Sequence, residues 1–168
     1  LKSFIDISKG NGLVFKDSNK KQPHLPNLND LYNLHNYVLK TKRTTILEFG
    51  SGWSTLIFSL ALKGVRDRYL SETKSLRRNN AFELFVVENE KKYLNITKNR
   101  ILKFNKLLKI KKPIKVKYFI SDLEMTTFEN KICTQYKKLP LCNPDFIYLD
   151  GPDHFKVKKD INGISTRH

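Results

Sequence analysis

The chain has 168 residues, 39% of them hydrophobic and 11% aromatic, which is enough to bury the core of one domain and excludes a disordered, collagen-like or repeat architecture. Lys plus Arg number 32 against 16 Asp plus Glu, a net charge of +16. The surplus consists of 25 Lys and only 7 Arg, beside 15 Asn and 13 Ile; compositional bias explains this more simply than a nucleic-acid footprint, which draws on bidentate Arg.

No run reaches the eighteen or so apolar residues of a membrane span, and no basic-then-apolar leader opens the chain, so a cytoplasmic location is expected. Cys133 and Cys142 lie nine apart with no Cys-x-x-Cys or Cys/His metal spacing, and are expected to be half-buried thiols. The chain begins at Leu1 and ends in Asn162-Gly163-Ile164-Ser165-Thr166-Arg167-His168 without a terminating element, so a fragment is expected.

In chain order, residues 1–27 read as an irregular lead-in punctuated by Gly10-Asn11-Gly12 and Pro23-His24-Leu25-Pro26. A helix is predicted from Asn29 as N-cap to Leu39, through Leu31, Leu34, His35 and Val38. Thr44 to Phe49 reads as a strand, Gly50-Ser51-Gly52 as a turn, and Trp53 to Lys63 as a helix ending at Gly64. Residues 65–82 read as a polar insert containing Arg66, Arg68, Lys74, Arg77 and Arg78.

A second strand, Phe85 to Glu88, precedes a helix from Asn89 to Lys109 whose Leu94, Thr97, Ile101, Phe104 and Leu108 fall on one stripe. Pro113 stops it and Val116 to Ile120 forms a third strand. After a long polar connection, Asp145 to Leu149 forms a fourth, closed by Asp150-Gly151-Pro152. Apolar strands alternating with helices predict a Rossmann-like α/β fold: a mostly parallel sheet with helices on both faces, three layers in all. The domain is expected to span residues 28–168, with its carboxyl-terminal part missing.

Acids are scarce, yet each predicted strand ends in or just before one: Glu48, Glu88, Asp122 and Asp150. Any one of them has an ordinary alternative, capping the helix that follows. Four together, on the edge where parallel sheets bind ligands, point to a site. The segment Ile46-Leu47-Glu48-Phe49-Gly50-Ser51-Gly52-Trp53-Ser54-Thr55 lacks the third glycine of a dinucleotide fingerprint, having Thr55 there, and lacks the Gly-Lys-Ser/Thr of a phosphate loop. An acid two residues before the first glycine suits a ligand with a cationic part. A nicotinamide dehydrogenase is disfavoured on both grounds.

This segment resembles motif I of class I S-adenosylmethionine-dependent methyltransferases, in the variant Glu-x-Gly-Ser-Gly-x-Ser-Thr, and the likeness runs from Thr44 to Phe155, about two thirds of the chain. The resemblance implies that Glu48 and the turn Gly50, Ser51, Gly52 hold the methionine part of S-adenosylmethionine, with Trp53, Ser54 and Thr55 nearby. It implies that Glu88, followed by Asn89, binds the ribose hydroxyls, that Ser121 and Asp122 flank the adenine, and that Asp150 faces the sulfonium and the substrate. Two departures stand out: Ser54 replaces the third motif glycine, and Glu88 lies 38 residues beyond Gly50 where about 20 is usual. The family's domain continues past the fourth strand, whereas 18 residues follow Asp150 here.

Methyl transfer is in-line displacement, so catalysis is largely positioning, with a base required only for an acceptor that must lose a proton. His154 is the candidate base with Asp153 or Asp150 as orienter; alternatively these acids hold a divalent metal, as in catechol-type O-methyltransferases, or Gly151-Pro152 is a turn and His154 an exposed loop residue. The basic stretch Lys98 to Lys117 reads either as a phosphate or membrane-surface contact or as a helix packing its apolar stripe on the sheet. Trp53 is expected to line the pocket and Phe58 to sit in the core. The expected function is methyl transfer to a small-molecule acceptor, and the alternative is a noncatalytic nucleic-acid-binding module using the Lys-rich surface.

Overall fold

The structure is a computed structural model that describes residues 26–152 together with 160–161 and 164–165. Helix α1, Leu28–Thr41, is capped two residues before the predicted cap: Asn27 Oδ1 accepts from the amides of Asn29 (3.1 Å) and Asp30 (3.4 Å). Strand β1 is Thr45–Phe49. Helix α2, Trp53–Thr73, does not end at Gly64, as the sequence predicts, but runs nine residues further with a kink at Tyr69. A Cβ on Gly64 would come within 2.9 Å of Leu39 Cδ2 on α1, so this glycine serves helix–helix approach at a helix-propensity cost of about 1 kcal/mol. Half of the predicted insert is therefore helical.

Strand β2 is Glu83–Glu88, helix α3 is Lys91–Leu107 and strand β3 is Lys115–Ile120. Of the predicted α3 stripe, Leu94, Thr97, Ile101 and Phe104 are buried, Arg100 joins them, and Leu108 is exposed beyond the helix end. The connection read as polar and irregular contains an antiparallel hairpin, β4 (Leu123–Phe128) and β5 (Lys131–Tyr136). Its two-residue turn, Glu129-Asn130, takes positive φ at both positions (49° and 62°), the twist such hairpins require without the usual Asn-Gly or Asp-Gly signal. Strand β6 is Phe146–Leu149, and a two-residue ladder pairs β7 (Asp160–Ile161) with β8 (Ile164–Ser165), the latter inside the stretch read as lacking an element.

The main sheet has the order β3-β2-β1-β6 and every pairing in it is parallel. Its first face carries Ile46, Leu84, Val86, Val116, Tyr118, Phe146 and Tyr148 against Val38 of α1, Phe58 and Leu62 of α2, and Ile101 and Phe104 of α3. Its second face carries Leu47, Phe85, Val87 and Phe119 beneath Tyr136 and Leu123 of the hairpin. All three described helices thus lie on one face, in contrast to the predicted helices on both. Successive crossovers from β1 to β2 to β3 step in one direction and, being right-handed, put α2 and α3 on the same side. The return to β6 reverses direction and places its connection on the other face, where it holds a hairpin in place of a helix.

The opposite, amino-terminal edge is locked by a clamp. Asp145 accepts from the amides of Thr44 (2.9 Å) and Thr45 (2.9 Å) and from Thr44 Oγ1 (2.9 Å), and Arg78 reaches the same carboxylate at 2.9 Å. No described helix is long and apolar enough to cross a membrane. Cys133 and Cys142 are half-buried thiols.

Candidate functional site

Parallel pairing places the ends of β1, β2, β3 and β6 on one edge. In register, Phe49 pairs with Val87 and with Leu149, and Glu88 with Ile120, so Gly50, Glu88 and Asp150 leave the sheet at nearly the same level. Three bonds continue the ladders past their formal ends: Gly50 N to Val87 O (2.8 Å), Asp150 N to Phe49 O (2.9 Å) and Ser121 N to Glu88 O (3.1 Å). The four sequence-predicted acids therefore share an edge, as the crossover rule requires.

The two glycines of the turn do different work. Gly50 has φ +90° and lies against the backbone of β6's end, where an added Cβ would stand 3.0 Å from Asp150 O. Gly52 caps α2, and a Cβ there would enter open space. Its amide donates to Thr55 Oγ1 at 3.0 Å. Only Gly52 leaves room for a ligand to approach the chain closely.

Glu48 points from β1 to the helix face and is fully buried. Ser54 Oγ donates to Oε1 at 2.5 Å, while Oε2 is buried without a hydrogen-bond partner among the described residues. Burial pushes this carboxyl up to about 8, opposed by the nearby hydroxyls of Ser54 and Thr55 and assisted by the charges of Asp150 and Glu88. A carboxyl raised in this way favours its protonated form at neutral pH, and a cation placed against it would draw the proton off.

Glu88 fills the ordinary role open to each of the four acids, ordering the helix that follows it. Its Oε1 accepts from the amides of Asn89 (2.9 Å) and Glu90 (3.0 Å), ordering the entry to α3, which is why the helix starts at Lys91 and not at Asn89. Its Oε2 accepts from Ser51 Oγ at 2.7 Å, tying the glycine turn to β2. A ligand diol at Glu88 would compete with that single hydroxyl for an acceptor that ionised carboxylates share readily. The long spacing from Gly50 to Glu88 is thus absorbed by the extended α2 without loss of contact.

Ser121 is buried; its amide bonds Glu88 O (3.1 Å) and its hydroxyl accepts from Lys138 N (2.8 Å), so it anchors the hairpin's end to β2. Asp122 and Asp150 are exposed at the same edge. The Trp53 ring packs edge-on to Phe104 (6.3 Å) with the Arg100 guanidinium 4.0 Å over its face, contacts that turn it toward α3. Phe58 is in the core as predicted. Asp153 and His154 lie outside the described residues. Among the described residues no three His, Cys, Asp or Glu side chains are grouped to hold a metal.

The sequence reading did not single out Tyr136. The last residue of β5, it stacks on Phe49 (5.4 Å between ring centroids), and its hydroxyl lies 3.2 Å from where a Cβ on Gly151 would stand. The alternation Ile132, Thr134, Tyr136 was the available signal of a strand, but its docking beneath β1 is a long-range event. A groove of about 450 Å³ opens between α1 and β6, lined by Asp30, Asn33, Leu34, Tyr37, Phe146 and Tyr148. None of the four acids lines it, although Tyr148 is the register partner of Glu48. Comparison of the chain with protein-family models, with curated proteins and with solved structures gives no match.

Proposed function

We propose that the carboxyl-terminal edge binds S-adenosylmethionine and that the protein is a methyltransferase acting on a small-molecule acceptor. The observation that carries this reading is the buried Glu48 carboxyl, with one oxygen unpartnered, beneath a glycine turn that Ser51 ties to Glu88. Gly52 offers the cradle, Glu88 the acceptor for ribose hydroxyls, and Glu48 with Asp150 the negative counterpart of a sulfonium and an ammonium. The cofactor supplies an electrophilic methyl group; the residues of this chain bind it, orient it and offset its charge. Asp150, at the mouth, is the described residue best placed to meet the acceptor. Asp153 and His154 are the proposed base pair for an acceptor that must lose a proton.

In this reading the sheet belongs to a three-layer Rossmann-like fold, in which further helices cover the second face where Ile147 and Leu149 are 58% and 73% exposed. Calorimetric titration with S-adenosylhomocysteine tests the cofactor assignment: heat of binding with the folded wild type, and its loss in Glu88→Ala, is expected. A flat titration of well-folded wild type would sink it.

A second reading, a nucleic-acid-binding module, draws on one observation. Between Glu90 and Asp122 the chain carries 11 cations and no acid. Gel shifts at low salt separate the two, because phosphate contacts predict binding that weakens steeply as salt is raised.

A further inference from the structure

We infer that Tyr136 is a ligand-contacting residue of the proposed cofactor site, its hydroxyl donating a hydrogen bond to an acceptor atom of the molecule bound at the Gly50–Gly52 turn. This rests on the cofactor-binding reading above and adds to it a wall that comes from the β4–β5 hairpin. Tyr136 is 9% exposed, and its hydroxyl oxygen is buried without a hydrogen-bond partner among the described residues. Stacking on Phe49 at an interplanar angle of 29° fixes the ring, so the hydroxyl has little freedom to seek a partner elsewhere. It is aimed at the place where the ends of β1 and β6 meet: a Cβ on Gly151 would lie 3.2 Å from it and 3.3 Å from Gly50 N.

A buried hydroxyl left without a partner is unfavourable, and Phe in the same place would fill the space without that cost. Tyr136 and Glu48 thus leave one oxygen unpartnered among the described residues on each face of the sheet near the end of β1. Burial, and secondarily the charge of Glu88, hold the phenol well above its ordinary pKa, so it stays neutral and acts as a donor. Its partner is therefore an acceptor such as a carboxylate, a hydroxyl oxygen or a ring nitrogen.

The test is calorimetric titration of wild type and Tyr136→Phe with S-adenosylhomocysteine, together with the thermal melting of both proteins without ligand. The expected result is binding about tenfold weaker in Tyr136→Phe, with a melting temperature equal to or above that of wild type. Equal affinity in the two proteins would overturn the role of Tyr136 while leaving the cofactor site intact. A melting temperature lowered by several degrees would show that the hydroxyl already has a partner within the protein, and would overturn it too. Absence of binding to the wild type would remove the cofactor reading and this assignment together.

Discussion

Gly50 and Gly151 pack backbone against backbone: a Cβ built on Gly151 would stand 3.1 Å from Gly50 Cα, and one on Gly50 would stand 3.0 Å from Asp150 O. The end of β1 and the end of β6 are thus joined by two residues that share no sequence neighbourhood. Any side chain at either would push apart the strands whose ends carry Glu48 and Asp150.

This separates the two glycines of the turn experimentally. Gly50→Ala is expected to destabilise the fold by about 2 kcal/mol or more, from a positive φ that Ala resists and from the collision with Asp150. Gly52→Ala meets open space, so its denaturation midpoint is expected within about 0.5 kcal/mol of wild type while binding of S-adenosylhomocysteine weakens. Urea denaturation and calorimetry of the pair check this; equal destabilisation by both would refute the division of labour.

Glu48 makes stability depend on pH with a definite sign. Its folded pKa, about 8, exceeds the ordinary glutamate value of 4.5, so between those values the native state holds a proton that the unfolded chain has lost. Stability is therefore expected to fall as pH rises through that window, at up to about 1.4 kcal/mol per pH unit from this group. Glu48→Gln keeps the shape and removes the titration. Denaturation curves of the variant from pH 5 to 8 are expected to lack this component, and its stability at pH 8 to exceed that of wild type.

On the proposed cofactor reading, the same group is expected to couple binding to protons. A cation against Glu48 favours the carboxylate, so affinity for S-adenosylmethionine is expected to rise with pH up to about 8 and then level, with proton release on binding below that pH. Titrations in buffers of different ionisation enthalpy measure the release directly. Uptake of protons, or none at pH 7, contradicts it.

At the opposite edge, Asp145→Ala strips a partner from the amides of Thr44 and Thr45 and leaves Arg78 without its ion pair. A loss of about 2–4 kcal/mol is expected, with a smaller loss for Arg78→Ala, whose charge is partly exposed. Because this clamp is remote from the acid edge, ligand affinity in the folded fraction of both variants is expected to match wild type.

The sequence by itself determined the strand–turn–helix at Thr45 to Thr55, the parallel order implied by apolar strands between helices, and the convergence of Glu48, Glu88, Asp122 and Asp150 on one edge. These follow from local periodicity and the handedness of crossovers, which a chain carries in its own pattern. Tertiary structure alone decided which glycine is structural, why Gly64 does not stop α2, that a hairpin packs on the second face, that Asp145 clamps the opposite edge and that Tyr136 docks against Phe49. Each of those depends on a contact between residues far apart in the chain: Asp145 lies 101 residues from Thr44, and Gly151 meets Gly50 only once β6 has docked beside β1. Such contacts are set by which surfaces meet in the folded sheet, and no short window of sequence contains both partners.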